Sequence, residues 1–161
     1  MYHRMSDIFR LIISIVVCNG AGLIGSFFTV ESVRTWYPTL TKPDLTPPGW
    51  VFGPVWTLLY TCMGVALFLA WTRHLGGKHR ILWVRLFLVH LVVNAAWSII
   101  FFGQRMLLPA LGVISLLWVL IVMLILLAWR FDRRISLLLL PYLAWVSFAT
   151  YLNYGIWSLN H

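Results

Sequence analysis

The sequence predicts an all-α integral membrane protein, folded as a bundle of five transmembrane helices. Of its 161 residues, 61% are hydrophobic and 10% are charged, whereas roughly a quarter of the residues of a soluble domain are charged. Five apolar runs have the length of about 20 residues that a helix needs to cross a bilayer. Short segments of alternating polarity, which would indicate a transmembrane β-barrel, are absent.

The five predicted spans form one domain, residues 1–161, without an internal repeat. They lie near residues 8–28, 50–71, 82–102, 107–129 and 137–157. Residues 29–49 are predicted to be an ordered loop, because its prolines fix φ and keep the preceding residues out of the helical region. We interpret this loop as a lid-like segment that leads into the next helix.

Span one carries two rows of small residues, which allow helices to approach closely in a membrane. Ser14, Cys18 and Gly22 form one row, and Ala21 and Gly25 form the other. These rows could pack within the bundle or between protomers.

Spans two and three each present a patterned face. Trp56 and Tyr60 recur at helical spacing in span two, and His90, Asn94 and Trp97 share one face of span three at i, i+4 and i+7. Polar groups in hydrocarbon need partners, so the face with His90 and Asn94 is expected to point into the bundle.

Span four is almost entirely aliphatic, which predicts a structural role, and Trp118 could reach the interior from it. Span five shows a second patterned face, with Tyr142, Trp145, Ala149 and Asn153 at steps of three or four residues. Core packing alone would explain any one of these side chains.

The marked residues occupy a common depth below the loop. At 1.5 Å per residue, Trp56, Asn94 and Ala149 lie roughly 9 to 12 Å from the loop side, with Trp97 and Asn153 slightly shallower. An aromatic layer with a few amides is typical of a small-molecule pocket and suits a flat conjugated ligand. Dense packing without a ligand is the alternative interpretation.

The net charge of +8 is interpreted as a topology signal, not as a nucleic-acid surface. Nine basic residues fall on the N-terminal side of the predicted bundle: Arg4, Arg10, Arg73, Lys78, Arg80, Arg85, Arg130, Arg133 and Arg134. The other side holds Arg34, Lys42 and Arg105. For a bacterial cell membrane, the positive-inside rule predicts a cytoplasmic N-terminus.

Six tryptophans lie at predicted span ends and are interpreted as interfacial anchors. They are Trp36, Trp50, Trp71, Trp83, Trp129 and Trp157. No cluster of histidine, cysteine and carboxylate in the sequence predicts a metal site.

Three motifs cover nearly the whole chain. The first is Trp36-Tyr37-x-x-Leu40-x-Lys42-Pro43-x-x-x-Pro47-Pro48-x-x-Val51-Phe52-x-Pro54-Val55-Trp56-Thr57-x-Leu59-Tyr60-x-x-Met63-Gly64. The others are Asn94-x-x-Trp97-Ser98-x-x-Phe101-Phe102 and Pro141-Tyr142-x-x-Trp145-x-x-x-Ala149-x-x-Leu152-Asn153. Together they resemble the TspO/translocator protein family, the tryptophan-rich sensory proteins that include the peripheral-type benzodiazepine receptor.

The resemblance implies a five-helix membrane receptor or sensor, often a homodimer, involved in tetrapyrrole or stress regulation. It implies that porphyrins, such as protoporphyrin IX and haem-type tetrapyrroles, and benzodiazepine-type ligands bind under the first loop, with no cofactor required. The implied pocket comprises Trp56, Asn94, Trp97, Trp145 and Ala149. The full candidate ligand site adds Trp36, Phe52, Tyr60, His90, Trp118, Tyr142 and Asn153.

Other activities are possible within this resemblance. Some bacterial relatives are reported to degrade protoporphyrin in light and oxygen, which would make Trp56 and Trp145 catalytic. A porphyrin or sterol transporter is a weaker alternative, since the spans carry no carboxylate.

The chain departs from the family pattern in three places. Leu45 stands where many members have tryptophan, and the C-terminal Tyr154–Ser158 segment lacks the basic residue of a proposed sterol motif. His90 stands where glutamine is expected. It could be a hydrogen-bonded structural residue, or it could approach a haem iron.

Overall fold

The protein is described by a computed structural model over residues 2–72 and 78–161, with side chains from Ser6 onward. Its helices are α1 (Tyr2–Thr35), α2 (Phe52–Thr72), α3 (Lys78–Ser98), α4 (Leu107–Trp129) and α5 (Arg133–Leu159). Each contains a segment long and apolar enough to cross a membrane. Within these ranges there is no β-strand, and the predicted five-helix membrane bundle is confirmed.

The outer surface of the bundle is apolar. Phe27 and Leu23 on α1 are 82% and 70% exposed, and α4 presents Leu126 and Leu116 in the same way. Such continuous apolar surface would be unstable in water and is stable against lipid tails. The protein is therefore an integral multi-pass membrane protein.

Helix α1 is longer than the first predicted span. The prediction ended the span at residue 28 and began the loop at residue 29, but the helix continues to Thr35. No glycine or proline interrupts this stretch, and the hydroxyls of Thr29 and Thr35 each donate to the helix carbonyl four residues earlier. The apolar run locates only the part of a helix within hydrocarbon, so it underestimates a helix that protrudes from it.

The other predicted spans agree with the helices to within a few residues at each end. Span four coincides with α4, whereas α3 and α5 begin four residues earlier than predicted. Short 3₁₀ turns at Tyr37–Thr39 and Gly49–Val51 flank the extended part of the loop. Arg73, which was counted in the charge prediction, lies outside the described residues.

The small residues of α1 pack inside the bundle. Ser14 and Cys18 are fully buried. A Cβ at Gly22 would lie 2.3 Å from the ring of Tyr60, and one at Gly25 would lie 3.0 Å from the Ser98 hydroxyl. Of the two roles considered for these rows, the structure shows packing against α2 and α3; a homodimer stays a prediction.

Trp83 is not the interfacial anchor that its position suggested. Its side chain is fully buried, stacks on Phe87 at a centroid distance of 4.9 Å, and donates its indole N–H to the Leu124 carbonyl at 3.0 Å. Because α3 begins at Lys78, Trp83 lies more than a turn inside the helix and on its inner face.

The proline-rich loop is fastened to the end of α5. The Asn160 side chain accepts from the Thr41 backbone N–H at 2.9 Å and donates to the Thr41 carbonyl at 2.8 Å. Pro43 lies so close to Gly155 that a Cβ there would be 2.4 Å from its ring. The loop thus covers the end of the bundle near which α5 ends.

The α1–α2 contact makes a testable prediction at Gly64. A Cβ at this position would meet the backbone Cα of Ile15 at 2.6 Å, so Gly64→Ala must push the helices apart at a cost of about 1–3 kcal/mol. Gly112→Ala is the matched control, because nothing lies within 4 Å of a Cβ there. Unfolding in mixed micelles should show a loss of stability for Gly64→Ala alone; equal stabilities would contradict the packing described.

Candidate functional site

A small apolar cavity lies directly beneath the loop. Its volume is about 20 Å³, room for about one water molecule. The loop, α2, the end of α3 and α5 all contribute to its wall. The lining residues are Tyr37, Phe52, Trp97, Phe101, Phe102, Ala149, Leu152, Asn153 and Ile156.

A π-helical turn at the end of α3 shapes one wall of the cavity. Residues Ile99–Gly103 form this turn, in which the Gln104 N–H donates to the Ile99 carbonyl at 2.8 Å, five residues earlier. The wider turn allows the consecutive residues Phe101 and Phe102 both to line the cavity. Single π turns of this kind are frequent at functional sites.

Tyr37 forms the roof. Its ring packs against Phe101 and Phe102 at centroid distances of 6.4 and 5.9 Å and against Phe52 at 6.5 Å. Burial raises the pKa of the Tyr37 phenol to about 12, so the roof stays neutral at physiological pH. Lys42 lies 5.1 Å above the outer face of this roof as a cation–π contact and donates to the Leu40 carbonyl at 3.0 Å.

Trp36 closes the side of the roof. Its ring meets Phe101 edge to face at 5.9 Å, and the Arg105 guanidinium lies 5.8 Å from it. Arg105 has a positive φ of 58° in the short connection between the π turn and α4. This backbone conformation is uncommon for a residue other than glycine.

A second aromatic layer lies deeper, centred on Trp56. Its ring stacks on Tyr60 at 5.5 Å, contacts Trp97 at 6.4 Å and meets the edge of Tyr142 at 6.3 Å. Since Trp97 also lines the cavity, it connects the two layers.

Below Trp56, four side chains from α2, α3 and α5 form a buried hydrogen-bonded network. Tyr60 donates to Asn94 Oδ1, and Asn94 Nδ2 donates to Tyr142 Oη at 2.8 Å. Tyr142 Oη lies 3.1 Å from His90 Nε2, and His90 Nδ1 lies 2.9 Å from the Phe87 carbonyl. Polar groups in hydrocarbon are stable only when their hydrogen bonds are made internally, and here they are.

The geometry of His90 favours the structural interpretation over haem ligation. Both ring nitrogens have protein partners, and the side chain is fully buried beneath the Trp56 layer. To bind a haem iron through Nε2, His90 would have to break its contact with the Tyr142 hydroxyl. Among the described residues, no three His, Cys, Asp or Glu side chains could hold a metal ion together.

Asn153 orients Trp97. The Asn153 Oδ1 accepts the Trp97 indole N–H at 3.1 Å, and its Nδ2 donates to the Leu107 carbonyl at 3.0 Å. The amide therefore joins α3, α4 and α5 at the level of the cavity.

Trp145 departs from this pattern of satisfied polar groups, as does the hydroxyl of Ser32 on α1. Its ring meets Phe52 edge to face at 5.9 Å, yet its indole N–H is buried and makes no hydrogen bond. A buried donor left without a partner carries a penalty of about 1–3 kcal/mol.

The structure joins eleven of the twelve predicted site residues in one continuous group. Trp118 lies outside it: the ring is 39% exposed on the outer surface and donates to Ser147 at 2.8 Å. In a nearly uniform span, sequence alone does not show which way a single tryptophan faces.

Five lining residues were not predicted: Tyr37, Phe101, Phe102, Leu152 and Ile156. Helical spacing could have identified Leu152 and Ile156, which follow Ala149 by three and seven residues on one face of α5. Tyr37 adjoins Trp36 in the first motif. Nothing in a helical pattern would have placed both phenylalanines on one side.

The site is suited to binding through flat apolar contacts. Apart from the Asn153 amide its walls are aromatic and aliphatic, and no carboxylate of the described residues lines the cavity. A ligand larger than a water molecule requires the roof and the Phe52 and Trp145 rings to move apart.

Comparison with known proteins agrees with the motifs. The model of the TspO/MBR family matches residues 14–158. The chain is 42% identical to the Tryptophan-rich protein TspO of Archaeoglobus fulgidus over 155 residues, covering 96% of this chain and 99% of that protein. It is 43% identical to the Tryptophan-rich protein TspO of Chlorobaculum tepidum over 158 residues, 96% and 98% of the two chains. Identity to the human Translocator protein is 38% over 149 residues, covering 86% of this chain and 82% of that protein.

Proposed function

The chain belongs to the TspO/MBR family, and from that premise we propose that it is a membrane receptor or sensor for porphyrins such as protoporphyrin IX. Benzodiazepine-type molecules are proposed as further ligands of the same site, and tetrapyrrole or stress regulation as its context. The observation that carries the proposal is the aromatic cavity under the loop, whose lining residue Phe52 contacts Trp145, a tryptophan with an unpaired indole N–H.

A porphyrin would enter by displacing the roof. The macrocycle is flat, and aromatic rings such as Trp97 and Phe52 offer offset and edge contacts to such a ligand. The Trp145 N–H, which has no hydrogen-bond partner within the protein, would then donate to an acceptor on the ligand. The loop is held by the hydrogen bonds of Asn160 with Thr41, by Pro43 against Gly155 and by the packing of Tyr37 on three phenylalanines. Its local release would require no helix to unfold.

The binding proposal predicts different effects for two alanines on α5. Ala149 lines the cavity, whereas Ala144 faces outward. Ala149→Leu should weaken dark binding of protoporphyrin IX by about tenfold or more, since overfilling a packed site costs about 1–3 kcal/mol. Ala144→Leu should bind as the wild type does. Tryptophan quenching measures both, and unsaturable quenching that is the same in all three proteins would refute the site.

A second candidate function is light- and oxygen-dependent porphyrin degradation, favoured by the contact of Trp56 with three other rings. Indole rings can supply electrons to an excited pigment. Illumination in air should then convert bound protoporphyrin IX to products with an altered absorption spectrum, and Trp145→Phe or Trp56→Phe should slow the conversion. Equal loss of pigment with and without protein would leave only the receptor function.

We propose that the N-terminus is cytoplasmic in a bacterial cell membrane and that the loop faces the opposite side. An impermeant thiol reagent applied to spheroplasts should label Asp44→Cys in the loop and spare Arg130→Cys beyond α4. The wild type, whose cysteines Cys18 and Cys62 lie within the helices, gives the background. Labelling of Arg130→Cys alone would show the opposite orientation, with the loop in the cytoplasm.

A further inference from the structure

Two buried tyrosines contact Trp56, and they differ in the partner of the hydroxyl. Tyr60 stacks on the indole at 5.5 Å and donates to the amide oxygen of Asn94. Tyr142 meets the indole edge to face at 6.3 Å, and its hydroxyl lies 3.1 Å from His90 Nε2. An amide oxygen is a hydrogen-bond acceptor but not a useful base, whereas a neutral imidazole is one.

The surrounding hydrogen bonds fix the direction of the proton. The Phe87 carbonyl can only accept, so the His90 proton lies on Nδ1 at 2.9 Å from it, and Nε2 presents its lone pair. Asn94 Nδ2 can only donate, so it fills an acceptor position on Tyr142 Oη at 2.8 Å. The phenolic proton of Tyr142 is therefore directed at His90 Nε2, within the distance required for proton transfer.

We propose that Tyr142 and His90 form a redox relay that returns an electron to oxidised Trp56. An external one-electron oxidant, such as an electronically excited conjugated chromophore in the cavity, first removes an electron from the Trp56 ring, directly or through Trp97. Tyr142 then gives one electron to Trp56 and its phenolic proton to His90 Nε2. The products are neutral Trp56, a neutral tyrosyl radical and a His90 imidazolium, so charge and atoms balance.

The position of the relay gives it a function. Trp97 lines the cavity and contacts Trp56 at 6.4 Å, and Tyr142 lies on the side of Trp56 that holds the polar network. Electron transfer along this row moves the radical away from the cavity. His90 is fully buried, so the proton stays beside the tyrosyl oxygen and can return with an electron, which protects Trp56 from irreversible oxidation.

Tyr60 serves as an internal comparison for Tyr142, because both tyrosines contact Trp56. It is closer to the indole than Tyr142 is, and it too is buried, but its proton faces Asn94 Oδ1. Oxidation of Tyr60 would leave a phenol radical cation, because the amide oxygen that it faces is too weak a base to take the proton, whereas the imidazole of His90 takes the proton of Tyr142. The relay goes beyond ligand binding and does not depend on which molecule fills the cavity.

The experiment needs no ligand. In detergent-purified protein, an ultraviolet flash ionises tryptophan while a dissolved electron acceptor captures the ejected electron, and transient absorption follows conversion of tryptophanyl to tyrosyl radicals. All proteins carry Tyr154→Phe, because Tyr154 contacts Trp157 at 5.9 Å outside the relay. Trp56→Phe identifies the share of the signal that begins at Trp56.

The background protein and its Tyr60→Phe variant should form the tyrosyl radical, and Tyr142→Phe should lose it. His90→Gln offers an amide in place of the base, so the conversion should slow by about a hundredfold, the low end of what a positioned base contributes. Retention of the tyrosyl radical in Tyr142→Phe, its loss in Tyr60→Phe, or an unchanged rate in His90→Gln would each overturn the relay.

Discussion

The requirement that buried polar groups find their partners within the protein governs the centre of this bundle. Hydrocarbon offers no hydrogen bonds, so a polar side chain inside a membrane helix must meet another one. Tyr60, Asn94, Tyr142 and His90 meet this requirement as one continuous chain that ends on a backbone carbonyl of α3. Because its members come from α2, α3 and α5, the chain also fixes how these helices face each other, and the aromatic layer above it depends on that alignment.

The cavity above this network is narrow because its aromatic and aliphatic walls pack closely against one another. Aromatic rings that border a void lose dispersion energy. The roof residue Tyr37 therefore packs directly on Phe101 and Phe102. A flat ligand would replace these contacts with its own, and opening the site would displace the loop from Gly155 and Asn160. The hydrogen-bonded network below need not change when the roof moves. Opening of the site would therefore involve the loop and leave the network in place.

The parts of the fold that follow from length and periodicity were accessible from the sequence, and the parts that follow from local geometry were not. The lengths of the apolar runs predicted five helices. The free-energy cost of an unpaired amide in hydrocarbon predicted that Asn94 faces the interior of the bundle. Phe101 and Phe102 could not be placed, because neighbouring residues of an α-helix diverge by about 100° and only the π turn brings both inward. Trp83 and Trp118 show a further limit: a tryptophan near a span end or on a uniform helix is equally compatible with core and with lipid.

The proposed ligand site lies under the loop, between the roof and the network. A crystal structure of the protein with protoporphyrin IX in a lipid mesophase would test it most directly. We expect the macrocycle between Phe52, Trp97 and Ala149, with the loop displaced from Gly155 and the hydrogen bonds of Asn94 intact. A macrocycle seated on the outer surface of α1, with the roof still closed, would contradict the account.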